Sequence, residues 1–65
     1  MIFRLDVYYD RKRKRTSCIR YIEHPKVPTD YEIQRYLTRN LSEYDVRCGR
    51  YRCTELYVTS LLVMT

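Results

Sequence analysis

With 65 residues, 45% of them apolar and 32% charged, this chain is long enough for one small folded domain and too apolar for a disordered one. Thirteen lysines and arginines, ten of them arginine, oppose eight carboxylates and give a formal net charge of +5 with a sequence pI near 9.3, which favours a polyanionic partner. No run of about 18 apolar residues is present, and Arg4 and Asp6 interrupt the N-terminal segment, so we expect neither a transmembrane helix nor a signal peptide.

The first element predicted is a strand over residues 2 to 9, where apolar and polar side chains alternate. Its core-facing side chains would be Phe3, Leu5, Val7 and Tyr9. Residues 16 to 23 are rich in β-branched and aromatic side chains and predict an antiparallel return strand. In one register Ile19 points towards the core, whereas a shift by one residue turns Cys18 and Ile22 inward instead. The sequence leaves this choice open.

Five consecutive cations occupy the connection between these strands: Arg11, Lys12, Arg13, Lys14 and Arg15. Because like charges repel and resist burial, the run is predicted to be a solvent-exposed hairpin tip. Tips of this kind normally contain glycine, asparagine or aspartate, so a tip made only of cations has no local structural role. The run therefore predicts a positively charged finger that contacts nucleic-acid phosphates. An acidic protein surface and a merely solubilising turn are the alternatives.

A helix is predicted over residues 30 to 41, after a connector in which Pro25 and Pro28 disfavour regular structure. Thr29 and Glu32 have the spacing of a capping box, which marks the start of the helix. The apolar stripe of the helix follows the spacing i, i+4, i+8 and consists of Ile33, Leu37 and Leu41.

After the helix, the period of two returns and predicts a third strand over residues 44 to 48. Beyond a turn at Gly49, a fourth strand is predicted over residues 51 to 59. Residues 60 to 65 would extend this strand, and a short helix from Glu55 onwards is the competing interpretation. Apolar residues near a chain end fray unless something covers them. We therefore predict a homodimer that forms either through this segment or through a sheet edge.

A second basic cluster surrounds the predicted turn and consists of Arg47, Arg50, Tyr51 and Arg52. Alternating arginine and tyrosine suits phosphate contact combined with base stacking. An exposed hairpin with arginine at its outward positions is the alternative interpretation. If the two hairpins lie side by side, their turns would form one basic surface at one end of the sheet.

Metal binding and catalysis find little support in the sequence. Cys18, His24, Cys48 and Cys53 are possible zinc ligands, but a continuous strand would place Cys18 and His24 about 20 Å apart. A tight turn would place Cys48 opposite Cys53 within bridging distance, whereas free thiols are the expectation inside a cell. No nucleophile–base pair or carboxylate cluster has a local signature, and a single glycine excludes a phosphate-cradling loop. We therefore predict no metal, no cofactor and no enzymatic activity.

The predicted architecture is α+β in the order ββαββ, a single domain over residues 1–65 with a small antiparallel sheet of three to four strands packed on one helix. Its predicted core consists of Phe3, Leu5, Val7, Ile33, Leu37, Leu41, Val46 and Val58. The predicted function is intracellular binding of DNA or RNA with low sequence specificity and without membrane contact. The alternative is an interaction protein of viral or mobile-element origin that binds or inhibits an acidic host protein, an origin favoured by small size and the absence of alanine.

Overall fold

A computed structural model describes residues 1–57 of the chain as three strands and one helix in the order ββαβ. The elements are β1 (Ile2–Arg11), β2 (Lys14–Glu23), α1 (Asp30–Asn40) and β3 (Arg50–Leu56). β1 is the central strand of one sheet, and both β2 and β3 pair with it antiparallel. The α+β class and the antiparallel sheet with one helix are therefore confirmed.

The pairing of β1 with β2 resolves the register that the sequence leaves open. Val7 lies opposite Cys18 and Phe3 lies opposite Ile22, which is the register that turns Cys18 and Ile22 towards the core side. The physical reason is the length of the connection, because the chain reverses over only two residues and brings Arg11 opposite Lys14.

One face of the sheet is covered by α1, and the core forms between them. Leu5, Val7 and Leu37 are fully buried, and the same core cluster includes Tyr9, Ile33, Leu41 and Tyr44. The predicted start of the helix is confirmed, since Thr29 and Glu32 form a complete capping box. Burying these side chains is the main stabilising contribution in a chain this small.

The prediction of a strand over residues 44 to 48 is wrong, because local hydrogen bonds fold this segment into turns. The backbone N–H groups of Cys48 and Gly49 both donate to the Asp45 carbonyl oxygen, over 3.2 and 2.6 Å. Tyr44 turns inward and packs against Tyr9, with 6.3 Å between ring centroids. Val46, predicted as core, is consequently 48% exposed.

Gly49 is required by this turn for steric reasons. A Cβ atom on Gly49 would lie 2.4 Å from Cε1 of the Tyr44 ring and 2.8 Å from the Asp45 carbonyl oxygen. The buried Tyr44 ring therefore excludes any side chain at this position.

Several predictions concern residues 58 to 65, which lie outside the described residues. These are the core role of Val58, the end of the last strand, the choice between strand and helix from Glu55 onwards, and the dimer contact of the C-terminal segment. Up to Leu56 the chain is a strand, as predicted. Within residues 1–57, the single helix falls short of the length and apolarity needed to cross a bilayer.

Candidate nucleic-acid interface

The hairpin tip is a two-residue turn whose backbone adopts an unusual conformation. Lys12 has φ of 51° and Arg13 has φ of 66°, so both central residues lie in the left-handed region. This is the type I′ geometry that suits the twist of a hairpin and that asparagine and glycine adopt with least strain. A residue with a full side chain in such a region costs on the order of 1 kcal/mol. Placing two cations at these positions therefore strains the backbone of the tip.

The five cations of the tip point in different directions. Lys12 and Arg13 form the apex, Arg11 and Lys14 lie opposite each other on the helix side, and Arg15 lies on the other side of the sheet. Arg11 pairs with Glu43 over 3.3 Å and Arg15 pairs with Asp10 over 3.3 Å. Within residues 1–57, the remaining three have no carboxylate within ion-pair distance: Lys12, Arg13 and Lys14.

The turn that precedes β3 lies beside this tip. Arg15 donates from Nη1 to the carbonyl oxygen of Cys48 over 3.3 Å, and Arg50 lies directly opposite Tyr8. Together they border an open depression of about 710 Å³ lined by Tyr8, Arg15, Arg47, Cys48, Gly49 and Arg50. The predicted second hairpin does not form. Arg47 and Arg50, which it would have contained, nevertheless lie beside the hairpin of β1 and β2.

Arg47 is held by a local ion pair within the turn. Its guanidinium contacts both carboxylate oxygens of Asp45, at 3.2 and 3.0 Å, and its backbone N–H donates to the same carboxylate at 2.9 Å. These hydrogen bonds lower the pKa of Asp45 below its ordinary value. Arg47 nevertheless stays highly exposed, with 88% of its side chain accessible to solvent.

Arg50 and Arg52 lie on the face of the sheet that α1 does not cover, which we call the outer face. Their cross-strand neighbours on β1 are Tyr8 and Asp6, and Asp6 is engaged by Arg4 over 3.0 Å. Both arginines are exposed, and within the described chain neither has a carboxylate at ion-pair distance.

Tyr51 does not lie on the outer face with these arginines, and its predicted role in base stacking stays a prediction. It lies opposite the buried Val7 and therefore faces α1, where its hydroxyl donates to the Asp30 carboxylate. Burial and this hydrogen bond raise the pKa of Tyr51. The alternation of arginine and tyrosine in β3 thus separates two faces, with arginine outside and tyrosine inside.

The cysteines do not contribute to the interface through a disulfide. Cys18, Cys48 and Cys53 are all free thiols, with Cys48 exposed in the turn and Cys53 half-buried on β3. Burial raises the pKa of Cys53, which keeps its thiol protonated and unreactive. The bridge between Cys48 and Cys53 required a hairpin that the chain does not form.

Tyr8 is the residue that sequence reasoning missed at this surface. Its ring is 43% exposed on the outer face, between Ser17 of β2 and Arg50 of β3. The alternation in β1 already placed Tyr8 opposite to the core-facing residues, so its exposure was predictable. The position of Arg50 beside Tyr8 was not predictable, because it depends on which strand pairs with the second edge of β1.

The net charge of the chain lies entirely around this surface. Eight cations belong to it, and three of them pair with Asp10, Glu43 and Asp45. The other five cations of the chain are balanced by its other five carboxylates, so the net charge of +5 lies here. We call these eight cations the basic end: Arg11, Lys12, Arg13, Lys14, Arg15, Arg47, Arg50 and Arg52.

No model of a known protein family, no curated protein and no solved structure matches this chain.

Proposed function

We propose that this chain is a small, non-enzymatic module that binds nucleic acid through the basic end. The observation that carries the proposal is the conformation of the tip, where Lys12 and Arg13 occupy positive-φ positions. An asparagine and a glycine would form the same turn with less strain, so stability does not explain the two cations. A negatively charged ligand explains the two cations, because both side chains extend from the end of the hairpin into solvent.

The distribution of charge supports phosphate as the group that is bound. The basic end consists of eight cations, and six of them are arginines. The planar guanidinium binds phosphate oxygens through two parallel hydrogen bonds, and a polyphosphate chain can engage several guanidinium groups at once. Each neutralised phosphate also releases counterions, which adds a salt-dependent gain in affinity.

Low sequence specificity follows from the same side chains. Lysine and arginine at an exposed tip contact phosphates first, and phosphate contacts orient a ligand without reporting its sequence. The tip has no asparagine or glutamine, the residues that most often pair with adenine. We therefore expect similar affinities for unrelated sequences of one type of nucleic acid.

A fluorescence-anisotropy titration tests this function with labelled duplex DNA, single-stranded DNA and RNA at about 50 and about 200 mM salt. The wild type is compared with Lys12→Asn/Arg13→Gly, which keeps the turn and removes two charges. The matched control is Arg35→Gln/Arg39→Gln, which removes two charges from the exposed surface of α1. We expect micromolar binding by the wild type and by the control. In the tip variant, the slope of log affinity against log salt should fall in magnitude by about 1.8 on duplex DNA or about 1.4 on a single strand, the effect of two lost phosphate contacts.

Two results would overturn the proposal. The first is a folded wild type that binds none of the three nucleic acids at low salt, which would direct attention to an acidic protein partner. The second is an equal loss of affinity in the tip variant and in the helix variant, because overall charge rather than the basic end would then control binding.

A further inference from the structure

The outer face of the sheet carries exposed aromatic side chains, of which Tyr8 lies next to the basic end. Besides Tyr8, it presents Tyr21 of β2, which is 60% exposed, and Ile19, which is 44% exposed. Among residues 1–57, nothing covers these side chains, since α1 packs on the opposite face. Monomeric proteins seldom leave several large apolar side chains adjacent on one face unless that face binds something.

The charges on this face indicate the chemistry of the ligand. Arg50 and Arg52 lie two residues apart on β3, so both point to the outer face, and Arg50 is the direct neighbour of Tyr8. Arg15 closes the other side of the depression beside Tyr8. The exposed Tyr8 side chain is thus bordered by Arg50 and Arg15, an arrangement that matches a base attached to a phosphate backbone.

We infer that the nucleic acid bound by this chain is single-stranded and crosses the outer face, with an unpaired base stacked on Tyr8 and phosphates held by Arg50 and Arg52. This inference rests on the proposed function and specifies its substrate class. The depression beside Tyr8, about 710 Å³ and open to solvent, is large enough to receive a base.

A duplex fits the same face less well for a simple reason. Its bases are already stacked on one another, so their flat surfaces are not available to tyrosine rings on a sheet. In a single strand each base exposes a flat surface, and stacking on an aromatic ring is tolerant of sequence. Tyr8 and Tyr21 lie on neighbouring strands, roughly 13 Å apart along the strand direction, so they would contact different bases.

The test compares a fluorescent single strand of about twelve nucleotides with the duplex of the same sequence, at one salt concentration. We expect the single strand to bind at least about tenfold more tightly than the duplex, and Tyr8→Leu to weaken single-strand binding about tenfold. Tyr8→Phe keeps the ring and should retain wild-type affinity. Tyr31→Leu changes a 70% exposed tyrosine on α1 and serves as the matched control. Should Tyr8→Leu fail to fold by circular dichroism, Tyr8→Thr removes the same ring and keeps a β-branched side chain that suits a strand.

The outcomes separate this inference from the proposed function. Equal affinity for single strand and duplex, together with a loss of both in Lys12→Asn/Arg13→Gly, would overturn the inference and leave the proposed function standing. Equal effects of Tyr8→Leu and Tyr31→Leu would also overturn it. Absence of binding to either ligand by the folded wild type would overturn both.

Discussion

The hydroxyl of Tyr51 donates a hydrogen bond to the carboxylate of Asp30, joining β3 to the first turn of α1. β3 is an edge strand and follows a turn segment rather than a hairpin. This side-chain contact therefore helps to fasten the strand that carries Arg50 and Arg52 to the helix. Tyr51 thus lies on the inner face and connects β3 to α1, while Arg50 and Arg52 point to the outer face.

We expect Tyr51→Phe to lower the free energy of unfolding by about 1 kcal/mol, because it removes the hydrogen bond and retains the ring. Its affinity for nucleic acid should remain that of the wild type. Urea unfolding followed by circular dichroism measures the first quantity and anisotropy measures the second. Weaker binding by a variant that is still folded would show that Tyr51 contacts the ligand after all.

The strained tip predicts that stability and binding can be changed in opposite directions. Lys12→Asn/Arg13→Gly should raise the free energy of unfolding by about 1 kcal/mol, because asparagine and glycine tolerate positive φ. Lys14→Asn is the control, since it removes a charge from β2 but leaves the turn residues unchanged. The urea midpoints of the two variants measure these changes in the free energy of unfolding. A gain in stability for Lys14→Asn as large as for the double variant would point to charge repulsion rather than backbone strain.

Arg11 forms an ion pair with Glu43, and in the proposed complex Glu43 would compete with a phosphate for the Arg11 guanidinium. Glu43→Gln should therefore tighten nucleic-acid binding several-fold and steepen the salt dependence by up to about 0.7 on a single strand or about 0.9 on duplex DNA, the effect of one further phosphate contact. Stability should change by less than about 0.5 kcal/mol, since the pair is exposed. Glu23→Gln removes the same charge at the far end of β2 and should have a smaller effect. Identical gains in the two variants would contradict a specific release of Arg11.

The capping box of α1 predicts a loss of stability in acid. The Thr29 backbone N–H donates to the Glu32 carboxylate over 2.8 Å, and this bond is the largest cause of a pKa of Glu32 below its ordinary value of 4.5. The unfolded chain therefore takes up the proton at a higher pH than the folded one. This contribution is fully present above about pH 4.5 and disappears as the pH falls through the lower pKa of the folded state.

Glu32→Gln should reduce the difference in urea midpoint between about pH 7 and about pH 3, because glutamine cannot titrate. Glu23→Gln, outside the capping box, should leave that difference close to the wild-type value. An unchanged difference in Glu32→Gln would show that other carboxylates, such as Asp45 with its lowered pKa, dominate the acid response.

The elements that depend on local sequence were predictable. The alternation in β1, the capping box at Thr29 and the apolar stripe of α1 each have a short-range physical cause, and all are present in the structure. The prediction over residues 44 to 48 was wrong because alternation there competes with hydrogen bonds to Asp45 and with burial of Tyr44. The identity of a buried side chain in a turn depends on the space that other elements leave for it.

The strands of the hairpin, the helix and the cationic tip follow from the sequence alone, because each depends on interactions between residues close in the chain. The register of β2, the pairing of β3 with β1 and the separation of Tyr51 from Arg50 emerge only when the chain is folded. These depend on how many residues the tip turn contains and on which edge of β1 remains free. A shift of one residue along a strand moves every side chain to the other face, and a local pattern does not contain that information.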